Sequence, residues 1–197
     1  MVQVKTSRET SEGLLIERAR DGSVEAFEQL VLAYQDRLFR FLLARSSCRA
    51  DAEDALQEAF VAAFRYLNSY QEKYRFGTWL FTIARRKLVY VRERQLAPWQ
   101  LQAEQASEEP GPEQQGIAIE QRITIWSTAR ACLPEGQFSA LWLYYMEEMP
   151  VAEVASVLQR PQTWVKVNLY RARKRLSTVL DKPDTIGGPV GASEVTS

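Results

Sequence analysis

Residues Met149–Leu180 read "MPVAEVASVLQRPQTWVKVNLYRARKRLSTVL", and the fold turns on how this stretch divides. Apolar residues recur at helical spacing in two runs, separated by Gln159, Arg160 and Pro161. Proline suits the start of a helix, where its missing N–H removes no hydrogen bond, so Pro161 opens the second run. Val154, Leu158, Val165, Leu169, Ala172 and Leu176 are then spaced to face one core. Ala155 is small where two helices approach closely. On the second helix Thr163, Lys166, Val167, Tyr170, Arg171 and Lys174 point away from that core. The pattern is helix, short turn, helix, with the basic, mixed outward face that a recognition helix presents to a DNA major groove. An ordinary helical hairpin is the plainer reading, and it leaves the basic face without a purpose.

Further upstream, Trp79–Arg94 reads "WLFTIARRKLVYVRER", which sets aromatic residues among five bases and one acid. At about 100° per residue, Leu80, Ala84, Leu88 and Val91 form the core stripe. Trp79, Arg86 and Tyr90 fall within about 40° of one another on a different side. Arg85 and Arg92 flank the core stripe elsewhere. Bases hold phosphates, and aromatic faces stack on nucleobases that have left a duplex. The combination suits opened, single-stranded nucleic acid. The competing reading packs Trp79 and Tyr90 against the preceding helix. The polar, aromatic loop "NSYQEKYRFG" at Asn68–Gly77 precedes this segment and is a second place to receive a base.

Asp51–Leu67, "DAEDALQEAFVAAFRYL", predicts another helix, with Asp51 as N-cap and Glu53 and Asp54 where the helix dipole favours anions. Ala52, Ala55, Leu56, Ala59, Phe60, Ala63 and Leu67 share one side. Glu53, Asp54, Gln57, Glu58 and Arg65 share the other, with Val61 in its middle. An acidic face with an apolar centre can dock a basic partner helix; a capped, solvated helix is the alternative. Before it, Phe27, Leu30, Val31, Tyr34, Leu38 and Phe41 are again at helical spacing.

The chain has 197 residues and a formal net charge of zero, but the zero is a cancellation. Residues 85–94 and 166–175 are basic, whereas residues 95–121 carry only acids. Such segregation predicts basic surfaces for a polyanion and an acidic connector. There is no histidine, which removes the commonest general base and a major zinc ligand. Cys48 and Cys132 are isolated and read as small core residues. No nucleophile–base pair or metal cluster is visible, so neither an enzyme, a metal site nor a cofactor is expected. No run of 18 apolar residues exists, and the N-terminus lacks the apolar middle of a signal peptide, which predicts a cytoplasmic protein with no membrane insertion.

The expected fold class is all-α: two small helical domains joined by a flexible linker, the second a helix-turn-helix. The first domain covers 12–94, the acidic linker 95–121 and the second domain 122–180. A Gly-, Pro- and Ser-rich tail covers 181–197 and is expected to be disordered. As a random coil the linker spans about 30 Å, which predicts a mobile pair of domains.

In order and spacing, "DAEDALQEAF", "FGTWLFTIARRK" and "LPEGQFSALWLYYMEEMPVAEVASVL…VKVNLYRARKRL" resemble the extracytoplasmic function (ECF) family of bacterial sigma factors over roughly residues 20–180. The resemblance implies a promoter-specificity subunit that binds core RNA polymerase and promoter DNA, often under the control of an anti-sigma factor. Carried over, Asp51, Glu53, Asp54, Gln57, Glu58 and Val61 meet the polymerase clamp. Tyr70, Lys73, Tyr74, Arg75, Trp79, Arg85, Arg86 and Tyr90 hold the opened −10 strand. Thr163, Trp164, Lys166, Val167, Tyr170, Arg171 and Lys174 sit on the −35 duplex. The chain departs from the family pattern at Arg86 and Tyr90, where Asn and Asp are usual, and at Trp164 and Asn168. Gln159 replaces the glycine of the turn, which predicts a non-glycine residue at positive φ. A stand-alone helix-turn-helix regulator would use the second domain alone. A helical protein-interaction adaptor would explain the amphipathicity but not the basic clusters.

Overall fold

The computed structural model describes residues 3–95 and 117–180, and all regular structure among them is helical. The first domain comprises α1 (Gln3–Arg20), α2 (Val24–Leu43), α3 (Arg49–Arg65) and α4 (Phe76–Gln95), with a short 3-10 turn at Leu67–Ser69. The second comprises α5 (Ile117–Cys132), α6 (Glu135–Tyr145), α7 (Val151–Leu158) and α8 (Gln162–Leu180). Both ends of the expected linker over 95–121 are therefore helical, and its middle lies outside the described residues. So does the tail at 181–197.

Ser23 starts α2, its hydroxyl accepting from the Ala26 amide at 3.2 Å. The α2 stripe Phe27, Leu30, Tyr34, Leu38 and Phe41 is buried as its spacing predicts. On α3 the buried side is almost all alanine (Ala52, Ala55, Ala59, Ala62 and Ala63). Small side chains let α2 and α4 come close on either side of it. From α4, Leu80, Phe81, Ala84, Leu88 and Val91 complete the core, Phe81 meeting Phe41 edge-on at 5.2 Å. The leucine, phenylalanine and valine side chains among them each contribute about 1.5–3 kcal/mol by leaving water. Gly77 sits where α4 passes under Tyr34. A Cβ there would lie 3.0 Å from the Tyr34 ring, whose hydroxyl donates to Glu12 of α1 at 2.6 Å.

One expectation is corrected here. Asp51 is not the N-cap of α3; Cys48 is, with extended backbone and no side-chain capping bond. Asp51 occupies the third helical position and is only 2 % exposed. The helix starts three residues earlier than an Asp51 cap would place it, which turns Asp51 inward.

In the second domain, Trp126, Phe138 and Trp142 form an aromatic cluster, the two indoles 5.0 Å apart. Val154, Leu158, Val165, Leu169, Ala172 and Leu176 are all buried between α7, α8 and α6. The turn between α7 and α8 closes as a Schellman motif: Arg160 N–H reaches the Ala155 carbonyl at 3.0 Å and Gln159 N–H the Ser156 carbonyl at 3.2 Å. Gln159 has φ 53°, the left-handed conformation expected of it.

The two domains are packed together, α4 against α7, rather than standing as a mobile pair. Thr78 of α4 donates to Glu153 of α7. Arg37 of α2 pairs with Glu147 at 2.8 Å, and Arg45 pairs with Glu135 of α6. Composition could not disclose this docking, because each pair joins residues 75 to 110 positions apart.

Candidate nucleic-acid interface

The α8 helix carries Lys166, Arg171, Arg173, Lys174 and Arg175 and no acid. Thr163, Lys166, Val167, Tyr170, Arg171 and Lys174 are all exposed, Tyr170 at 60 %. This outward face is as the sequence predicts: cations spaced for phosphates, with a hydroxyl, a phenol and a methyl-bearing side chain among them. Trp164 differs from that group. It is half-buried, its ring lies against the backbone of Gly136 in α6, and the Arg160 guanidinium sits 5.6 Å above it. Asn168 turns inward and donates its amide to the Trp164 carbonyl at 2.9 Å. Trp164 and Asn168 therefore seat α8 against the rest of the domain, while their neighbours face outward.

The α4 surface is more divided. Lys73, Arg75, Arg86 and Tyr90 are exposed, and Tyr74 and Arg85 are half-buried. Tyr90 is 56 % exposed, with the Lys87 ammonium 5.9 Å from its ring. Tyr70 and Trp79 do not stand free. Tyr70 is 6 % exposed, packs 5.4 Å from Trp79 and 5.5 Å from Phe76, and donates its hydroxyl to the Tyr74 carbonyl at 2.8 Å. Burial first, then the nearby carboxylates of Glu12 and Glu72, push the Tyr70 phenol up to about 12. It remains a neutral donor through the physiological range. These two rings build the wall on which the loop at 68–77 rests.

Burial lowers the pKa of Arg85; Glu135 of the second domain opposes that shift, and Arg160 and Arg86 add to it. The helix geometry explains why. Thr78 and Arg85 lie two turns apart on the side of α4 that meets the second domain, while Trp79, Arg86 and Tyr90 lie about 100° further round.

On α3, Glu53, Asp54, Gln57, Glu58 and Val61 are exposed and form the expected acidic face with its apolar centre. Asp51 is not part of it. Glu53 pairs with Arg49 at 2.7 Å, and Glu58 with Lys87 of α4 at 2.9 Å. The interdomain residues Arg37, Arg45, Thr78, Glu135, Glu147 and Glu153 were not foreseen. The single sequence clue to them is that Glu147 and Glu153 stand just before and just inside the first helix of the helix-turn-helix.

These surfaces match known proteins. The sigma-70 region 2 family model matches residues 30–95, and the sigma-70 region 4 model matches residues 127–176. Region 2 followed by region 4 in one chain defines a sigma-70-type transcription factor. The chain is 30 % identical over 178 residues to RNA polymerase sigma-H factor of Pseudomonas aeruginosa, covering 84 % of this chain and 92 % of that protein. It is 28 % identical over 182 residues to ECF RNA polymerase sigma-E factor of Escherichia coli, covering 86 % and 94 %. The chain belongs to the ECF family of sigma factors, and as such it directs transcription initiation. Its fold resembles CnrH in complex with the cytosolic domain of CnrY, with a TM-score of 0.64 and 24 % identity over 87 % of this chain and 97 % of that one. It also resembles the sigma factor RpoE in complex with the anti-sigma factor NepR from Bartonella quintana, at 0.64 and 23 % over 80 % and 98 %.

Proposed function

We propose that the three surfaces divide the work of initiation among them. The exposed face of α3 (Glu53, Asp54, Gln57, Glu58 and Val61) binds core RNA polymerase, with Asp51 buried beneath it as a support. The α8 face (Thr163, Lys166, Val167, Tyr170, Arg171 and Lys174) lies in the −35 major groove, and Trp164 fixes its angle against α6. Lys and Arg there displace counterions from the phosphates, so binding weakens steeply with salt. The −10 strand, once opened, runs over Lys73, Tyr74, Arg75, Arg85, Arg86 and Tyr90. The bases are then held by Tyr90 stacking, while Tyr70 and Trp79 shape the loop. The working units are 12–94 and 122–180, with 95–121 passing between them.

The observation that carries this reading is the acid-free, exposed outward face of α8 on a helix seated by Trp164 and Asn168. The protein acts in the cytoplasm and holds no metal or cofactor, and its work is binding rather than catalysis. Among the described residues no helix is long and apolar enough to cross a membrane. An anti-sigma factor is a further partner, a reading supported by the structural neighbour RpoE, which was solved in complex with the anti-sigma factor NepR. Equilibrium binding to core polymerase tests the central step. Asp54→Lys with Glu58→Lys should weaken binding at least tenfold with unchanged helicity; unaltered affinity would contradict the assignment of the α3 face.

A further inference from the structure

We propose that Val167 reads a base: it packs on the C5-methyl group of a pyrimidine in the major groove, so the duplex this chain prefers carries a thymine at that step. This role deepens the one given to α8 above and rests on it.

α8 is turned so that its most outward residue is apolar. At about 100° per residue, Val167 lies about 170° from the middle of the buried stripe Val165, Leu169, Ala172 and Leu176. Thr163 and Arg171, each one turn away along the helix, lie within about 40° of the same outward line. Lys166 stands about 100° to one side of it and Arg175 about 80° to the other. All of these outward residues are exposed, Val167 at 45 %. The helix cannot roll to hide the valine, because Trp164 is seated on Gly136, where even a Cβ would come within 3.0 Å of the indole. A lone valine on a protein surface needs no partner. This one is the outermost point of an acid-free helix, and its neighbours on that line, Thr163 and Arg171, are both hydrogen-bonding groups.

A helix lying in a major groove turns its outermost line to the base edges and its flanks to the phosphate walls, and its N-terminal residues reach the bases. The flanking cations suit the walls. Thr163 and Arg171 suit base edges, which offer donors and acceptors. Val167 suits neither a wall nor a polar edge. Pressed on a purine it would cover N7 and its exocyclic group without giving either a partner, and a polar group desolvated without a hydrogen bond is costly. The apolar feature of the major groove is the C5-methyl of thymine, which a valine covers while orphaning nothing. Selectivity then has two sources: burial of the methyl favours thymine, and desolvation of polar edges disfavours the purines. Cytosine presents the same edge without the methyl, and 5-methylcytosine presents it with the methyl restored.

The test uses core polymerase loaded with the full chain. A pool of duplexes randomised over the upstream promoter window is selected for binding. Each thymine of the winning duplex is then replaced singly by deoxyuridine, which removes the methyl and nothing else. One replacement should weaken binding about fourfold, matching the ~0.8 kcal/mol of one buried methyl-sized group. At the same step 5-methylcytosine should be preferred to cytosine by a similar factor. Val167→Ser should abolish both differences at that step and at no other, whereas Val167→Ile should keep them. Val167 is exposed, so both variants should melt as the parent chain does. A winning duplex in which no thymine methyl matters overturns the assignment. So does a methyl effect that persists in Val167→Ser, and its disappearance in Tyr170→Ala would then move the contact to the neighbouring ring. A pool in which no upstream sequence is enriched would overturn the placing of α8 on the −35 duplex itself, and the role of Val167 with it.

Discussion

α4 and α8 are basic helices of nearly equal length, 20 and 19 residues, yet they are held differently. α8 is anchored along one stripe and leaves Lys166, Arg171 and Lys174 to solvent. α4 is engaged on several sides. Its core stripe packs on α2 and α3, Trp79 joins the Tyr70–Phe76 cluster, Lys87 pairs with Glu58, and Thr78 meets the second domain. A helix that reads an intact duplex needs one free face and a fixed angle. A helix that holds a distorted strand must resist the strain of that strand, and its aromatic residues are shared between core and ligand. Basic charge alone does not separate the two roles proposed for these helices; the difference in their neighbours supports the division.

The difference predicts that substitutions on the two helices fail in different ways. The largest effect should come from Trp79→Ala, which removes a half-buried indole from an aromatic cluster. It should cost about 3 kcal/mol of stability, read as a fall in Tm, before any effect on DNA is measured. If Trp79→Ala instead melts like the parent chain and loses only promoter opening, α4 carries its ligand on a free face as α8 does, and the two helices are alike. Arg171→Ala should leave Tm unchanged. If it contacts a base, about 1–3 kcal/mol of −35 affinity is lost and preference relaxes at one position. Lys174→Ala should weaken all duplexes alike and lower the salt slope by about one. Titrations on matched and scrambled duplexes separate these outcomes, and identical behaviour of both variants on both duplexes would show that α8 does not read sequence. The smallest effect concerns the turn that sets the angle of α8. A non-glycine residue in the left-handed region costs about 1–2 kcal/mol, part of which is returned by the stiffer unfolded chain. Gln159→Gly should therefore stabilise the protein by up to about 1 kcal/mol, measured by denaturant midpoint, with −35 binding preserved.

The helix-turn-helix was the most legible part of the chain. Its six core positions and its outward face follow from spacing within about thirty residues, and the positive φ of Gln159 from the resemblance, which puts a glycine at that turn position. The acidic face of α3 was legible for the same reason, except at Asp51, where the extra two residues of helix before it moved the cap to Cys48. Tyr70 and Trp79 were harder. Their ring contacts run across the loop at 68–77, and helical periodicity says nothing about what a loop folds back onto. Least legible were Arg37–Glu147, Arg45–Glu135 and Thr78–Glu153. A charged residue on a helix surface looks solvated in sequence, and only the tertiary structure reveals that its partner lies in the other domain.

The proposed division, with α8 on the duplex and α4 on the opened strand, stands or falls on Tyr90. It is an exposed ring on α4 and lies outside the aromatic cluster. Losing a base–aromatic stack costs about 1–3 kcal/mol, so Tyr90→Ala should slow transcription from a duplex promoter by roughly tenfold. The measurement is run-off transcription by core polymerase loaded with parent or Tyr90→Ala protein, on a duplex promoter and on one carrying a pre-opened −10 bubble. The expected result is a defect on the duplex that the bubble largely rescues, at an unchanged Tm. Equal loss on both templates, or a large drop in Tm, would contradict it.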